Sequence, residues 1–208
     1  MSQFATRQAM LRARTRPEHQ SLEAVPALAR LLTDRVTLND YATVLRVLHT
    51  CHRALAPQIL ACLPASSPVR ALLDGQRVAG MEDDLAWLGV PTLPDKPVLP
   101  VLATYSHAMG ALYVLEGSNL GGRVIARHLS DRLHVHRGAG ASFFDGLTAE
   151  TARDRWQILG TVLDAAEPEI SDEALLDGAR DTFRCLERQF CQLPLDLRQT
   201  CLTAAAAD

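Results

Sequence analysis

The residues best suited to chemistry begin with a histidine and a carboxylate one helical turn apart. His19 and Glu23 lie in the stretch Leu11-Arg12-Ala13-Arg14-Thr15-Arg16-Pro17-Glu18-His19-Gln20-Ser21-Leu22-Glu23. Four residues of separation put two side chains on one face of a helix. A carboxylate there can engage one ring nitrogen, fix the tautomer and leave the other nitrogen free for a metal. Arg12 precedes His19 by two turns on nearly the same face, where a cation can pair with a carboxylate of a bound ligand. The same pattern also describes an ordinary surface His–Glu pair.

A second segment is unusual in the opposite way, because side chains are missing from it. In Gly110-Ala111-Leu112-Tyr113-Val114-Leu115-Glu116-Gly117-Ser118-Asn119-Leu120-Gly121-Gly122-Arg123, three glycines fall within six residues. Each glycine in a helix interior costs about 1 kcal/mol relative to alanine. Gly110, Gly117 and Gly121 share one side of such a helix, which could bend there or lay its backbone against a flat object. Close helix–helix packing or a plain kink accounts for the glycines equally well. The remaining histidines form no metal set. His49 and His52 have no matching carboxylate pair, and His128, His134 and His136 fall near a helix end. The two Glu-x-x-His units of a ferritin-like di-iron site, a phosphate loop and a Gly-x-Ser-x-Gly elbow are absent from the sequence.

The elements that must position these segments read as helices. Leu and Ala supply 63 of the 208 residues, against 17 for Val plus Ile and 10 aromatics. Apolar residues recur at three and four, as in Tyr41-Val44-Leu45-Leu48 and Trp156-Leu159-Leu163, and no long alternating run suggests a sheet. The expected elements are a first helix over 3–32, broken near Pro17 and Pro26, and a second over 38–62, capped at Asn39-Asp40 and kinked at Pro57. A third covers 68–87. The connector Pro91-Thr92-Leu93-Pro94-Asp95-Lys96-Pro97 follows. A long helix over 98–136 is interrupted at 117–122, a loop covers 137–146, and two helices span 148–166 and 171–192. The expectation is an all-α single domain over 1–192 with a frayed tail over 193–208.

The composition bounds the function. Twenty-one basic and 24 acidic side chains leave a net charge of −3, which offers no footprint for nucleic acid or anionic lipid. The longest apolar run, Ala108–Leu115, is far short of the roughly 20 residues of a membrane span. No secretory leader pattern opens the chain, so the expected location is the cytoplasm. Cys51, Cys62, Cys185, Cys191 and Cys201 form no Cys-x-x-Cys pair and read as free thiols.

Taken together, Thr15-x-x-x-His19-x-x-Leu22-Glu23 and Leu112-Tyr113-Val114-Leu115-Glu116-Gly117-Ser118-Asn119-Leu120-Gly121-Gly122 resemble the proximal helix and the glycine-bent distal helix of the heme oxygenase family, particularly its bacterial branch. Gly178-Ala179-Arg180-Asp181-Thr182-Phe183 is a further echo, and the resemblance runs from about residue 7 to 192. It implies a heme oxygenase-like helical bundle that cleaves heme, both substrate and prosthetic group, to biliverdin, ferrous iron and carbon monoxide with O2. His19 would be the axial ligand to the heme iron, with Glu23 behind it. Gly117 and Gly121 would lie over the opposite face with Gly122 close by, and Tyr113 on the distal wall. Arg12 would face the heme edge, and Arg127, His128, Arg153 and Arg180 are candidates for propionate contacts. Ser118 stands where many members of the family carry an Asp that organises water, which leaves the proton route open. The sequence has no flavin or nicotinamide fingerprint, so electrons would come from an external reductase, and a phytochrome is a candidate acceptor of biliverdin. Two other readings use the same scaffold: a heme carrier or sensor that does not degrade its ligand, and a heme-free enzyme acting on thiamin-type or quinone-type molecules. A helical adaptor without ligand leaves the clustered glycines without a reason.

Overall fold

A computed structural model of the chain describes residues 4–94, 97–165 and 169–193, and the expected tail lies outside them apart from Leu193. The described residues form helices α1 (Arg7–Arg14), α2 (Arg16–Glu23), α3 (Pro26–Arg30), α4 (Leu38–Cys62), a 3-10 turn over Pro68–Leu73, α5 (Gln76–Trp87), α6 (Tyr105–Leu133), α7 (Ser142–Asp145), α8 (Ala149–Leu163) and α9 (Asp172–Cys191). The all-α expectation holds.

Hydroxyl caps set many of the boundaries. The side chains of Thr6, Thr37, Thr104, Thr148 and Ser171 each accept a hydrogen bond from a backbone N–H of the first turn they precede. Such a cap satisfies a donor that has no partner inside the helix. Thr37 and Asp40 form a reciprocal capping box, so the cap of α4 is Thr37 and Asp40 is its third residue. The prolines correct the single first helix. Pro17 and Pro26 sit in the opening turns of α2 and α3, where the missing N–H costs nothing, so they begin new helices. The third expected helix divides into the 3-10 turn and α5 around Gly75, whose φ is +80°. α6 starts at Tyr105 rather than Val98. It ends on the left-handed residue His134 and runs unbroken through Gly117–Gly122, against the expected interruption. Within the expected loop 137–146, Asp84 accepts from the N–H groups of Ser142 and Phe143 at 2.6 and 2.8 Å and so caps α7.

α6 is the axis of the bundle and packs on α4, α7, α8 and α9. Its tightest crossing is with α9. A Cβ added at Gly110 would lie 2.1 Å from the Leu175 carbonyl oxygen, and one at Gly178 would lie 2.1 Å from the His107 carbonyl oxygen. Leu11, Leu45, Leu55, Met109, Leu112, Leu129 and Leu159 are completely enclosed around this axis. α2 is different. It buries none of its eight residues and rests on α9.

Candidate functional site

The glycine face of α6 changes character along its length. At Gly110 it is closed by α9. One turn on, the Tyr113 ring lies tilted against Trp156 of α8, 5.4 Å between ring centroids, and stands near Thr15 at the α1–α2 break. Burial pushes the Tyr113 phenol up, while the Arg12 guanidinium and Thr15 pull the other way, so Arg12 also stands at this corner. A Cβ at Gly117 would meet the Trp156 ring at 3.7 Å, whereas one at Gly121 would meet nothing within 4 Å. Beyond Gly121, Leu120 and Val124 are exposed at 46% and 64%. The face closes again where His128 Nε2 lies 2.9 Å from the Thr33 carbonyl oxygen and Arg132 pairs with Asp34.

Residues 15–33 meet α6 at both ends, with Thr15 near Tyr113 and the Thr33 carbonyl against His128 Nε2. Between those points α2 packs on α9. The 15 residues from Tyr113 to His128 correspond to about 22 Å of helix. The segment between those two points forms an arch, and α2 carries His19 and Glu23 on it, with side chains 55% and 66% exposed. His19 Nδ1 lies 3.2 Å from Glu23 Oε2, and the His19 ring meets Phe183 of α9 edge-on at 5.7 Å. A carboxylate at Nδ1 favours the proton there and leaves Nε2 as the nitrogen with a free lone pair.

Arg12, Tyr113, Trp156 and Gly117 stand at one corner, and His19 and Glu23 pair with each other on α2. Other sequence candidates are engaged elsewhere. Arg180 turns toward α2, with Nε 3.5 Å from Glu18 Oε1 and Nη2 donating to the Arg14 carbonyl at 3.2 Å. His128 serves the far foot of the arch. Arg127 and Arg153 are exposed. Gly122 backs onto Phe144, where a Cβ would lie 3.2 Å from Cδ1. The Ser118 hydroxyl donates to the Leu115 carbonyl at 2.7 Å and accepts from Arg77 Nη2 at 3.3 Å.

Sequence reasoning missed the charged residues behind this wall. Arg155 forks onto Glu116, with Nε to Oε2 at 2.9 Å and Nη2 to Oε1 at 2.8 Å. Burial works against the Arg155 charge, but Glu116 and Asp74 outweigh it and hold the guanidinium above its usual range. Arg77 lies 4.2 Å over the Phe143 ring, and burial pulls it down to about 10. His52 meets the same ring edge-on, and burial, followed by the Arg77 charge, pulls it down to about 3. His49 Nε2 lies 3.0 Å from Glu82 Oε1. One signal was readable: Glu116 interrupts an apolar helix run, and a charge buried in such a run requires a partner. Among the described residues no cluster of His, Cys, Asp or Glu could hold a bare metal ion, and no helix is long and apolar enough to cross a membrane.

Comparisons with known proteins bear on this geometry. No family model matches the chain. A curated heme oxygenase of Xanthomonas campestris pv. campestris (strain 8004) is 47% identical over 57 residues, a match that spans 27% of this chain and 33% of that relative's length. Three solved structures superpose over nearly the whole chain. The NO- and CO-bound heme oxygenase of Neisseria meningitidis has a TM-score of 0.67 at 20% identity, covering 91% of this chain and 94% of that one. The heme oxygenase of Leptospira interrogans gives 0.72 at 16%, covering 90% and 100%. Heme oxygenase-1 of the cyanobacterium Synechocystis sp. PCC6803, solved in complex with heme, gives 0.67 at 18%, covering 97% and 98%. This chain has the all-α fold of those heme oxygenases.

Proposed function

We propose that this chain is a heme oxygenase, which cleaves heme to biliverdin, ferrous iron and carbon monoxide with O2 and electrons from a separate reductase. The observations that support the reading are an exposed imidazole on α2 paired with Glu23 and a stretch of α6 where a Cβ at Gly121 would meet nothing within 4 Å; the reading makes the two the opposite walls of one slot. The residues present suit a flat iron macrocycle. His19 offers an uncommitted Nε2, the space over Gly121 is open, and Leu120 and Val124 supply apolar surface beside it. The curated heme oxygenase matched over part of the chain and the heme-bound structure of the same fold support the same assignment.

Bound heme supplies the iron at which dioxygen is reduced and the ring carbon that is oxidised. The chain supplies the rest. His19 would ligate the iron from α2, with Glu23 holding its ring by Nδ1. Arg12, beside Tyr113 at the near end of the slot, is the cation for a propionate. Arg180 and His128 hold α2 and the far foot of the arch in place. Gly117 and Gly121 would bring backbone rather than an acidic side chain to the heme site, so no strong proton donor would stand on that wall. Ser118 and Gly122 form the rear of that wall. Cytoplasmic location and a phytochrome as biliverdin acceptor belong to the same proposal.

The test is to add hemin and then ascorbate to the purified chain in air. Loss of the Soret band with appearance of biliverdin is expected. A Soret band that persists through reductant and oxygen identifies a carrier, and absence of hemin binding removes the assignment.

A further inference from the structure

We propose that Glu116 and Arg155 are a positioning pair that fixes the height and rotation of the glycine wall, an inference that rests on the slot being a heme site. A helix is normally seated by the side chains it buries, and Gly117 and Gly121 have none to bury. What seats this stretch is the residue immediately before it. Glu116 has a side chain only 2% exposed and takes both hydrogen bonds of the Arg155 fork, and it also accepts from Asn119 Nδ2 at 2.9 Å. Arg155 has an exposure of 11%, donates a further bond to the Leu72 carbonyl and stands 3.8 Å from Asp74 Oδ2. The fork thus ties α6, α8 and the turn after Pro68 at one point. The neighbouring residue Trp156 lies against Gly117 and Tyr113, so the fork also sets the ring that closes the near end of the slot.

A two-pronged guanidinium–carboxylate bond constrains rotation as well as distance, which a single point charge does not. The geometry assigns the pair to that constraint rather than to any contact with ligand. Its loss frees the 117–122 stretch of α6 to turn about the helix axis, which would change how the wall meets a bound heme.

Removing Arg155 alone strands a buried carboxylate, so the double variant Glu116→Met/Arg155→Met carries the test, with Arg155→Lys beside it. The first measurement is amide hydrogen exchange of the heme-free protein. In the double variant, exchange at residues 117–122 is expected to rise by roughly tenfold or more while amides of α9 hold their wild-type rates. Arg155→Lys keeps the charge but loses the fork and is expected to follow the double variant. The second measurement is the ratio of biliverdin isomers after turnover, expected to change from that of wild type. Unchanged exchange and an unchanged isomer ratio in the folded double variant would overturn the proposal, as would full restoration of wild-type exchange by Arg155→Lys. If wild type fails to bind hemin, the functional assignment falls, and the exchange measurement still decides whether the fork holds the wall.

Discussion

Gly110 and Gly178 are locked together backbone to backbone: a methyl group on either would lie 2.1 Å from a carbonyl oxygen of the opposing helix. Neither helix can yield without opening the central crossing of the bundle. Gly110→Ala is therefore expected to destabilise the chain by about 3 kcal/mol or more. A large fall in thermal midpoint of the heme-free protein checks it, and a midpoint near that of wild type would mean the crossing is looser than described.

Gly121 lies on the same face of α6 and is expected to behave oppositely. A side chain there enters open space. Gly121→Leu is expected to leave the heme-free protein as stable as wild type, or up to about 1 kcal/mol more stable through helix propensity. It should lower hemin affinity or biliverdin yield by about tenfold or more, since 1.4 kcal/mol of lost fit is already tenfold. Titration with hemin and a thermal melt of the same sample separate the two effects.

The His19 side chain is 55% exposed and touches the core only edge-on at Phe183. His19→Ala is expected to change stability by less than about 0.5 kcal/mol and to alter the ferric-heme absorption spectrum, with imidazole restoring it. A variant spectrum identical to that of wild type would remove His19 as the axial ligand.

His52 makes the fold sensitive to acid. Burial and the Arg77 charge lower it to about 3 in the folded state, against an ordinary value of 6.5. The unfolded chain therefore binds the extra proton first. The contribution of His52 to stability is intact above about pH 6.5 and is lost as pH falls toward 3, by up to about 1.4 kcal/mol per pH unit. Denaturant midpoints between pH 7 and 4 should show this slope, and His52→Phe should flatten it.

Much of this arrangement was readable from residue types alone, and the parts that were not share a physical cause. His19 and Glu23 are near neighbours in sequence, so their pairing on one helix face followed from spacing. The three glycines also share one face, as expected, but the face is used in two ways. Gly110 is closed against Gly178, 68 positions away, and Gly121 is open, and periodicity carries no information about which part of a face has a partner. The same limit hid the fork between Glu116 and Arg155, which are 39 residues apart. The glycines of 117–122 read as an interruption because propensity disfavours them in a helix, yet the helix continues, since anchoring on both sides outweighs a cost of about 1 kcal/mol each. Pro17 and Pro26 read as breaks in one helix, although in an opening turn a proline is an ordinary first residue.

The seating of α2 differs in kind from the central crossing. None of its eight residues is buried, and its hold on α9 is polar and edge-on: Ser21 donates to Glu187, Glu18 pairs with Arg180 and Arg184, and the His19 ring meets Phe183. Water and salt compete for ties of that sort, whereas the backbone contact of Gly110 and Gly178 leaves them no room.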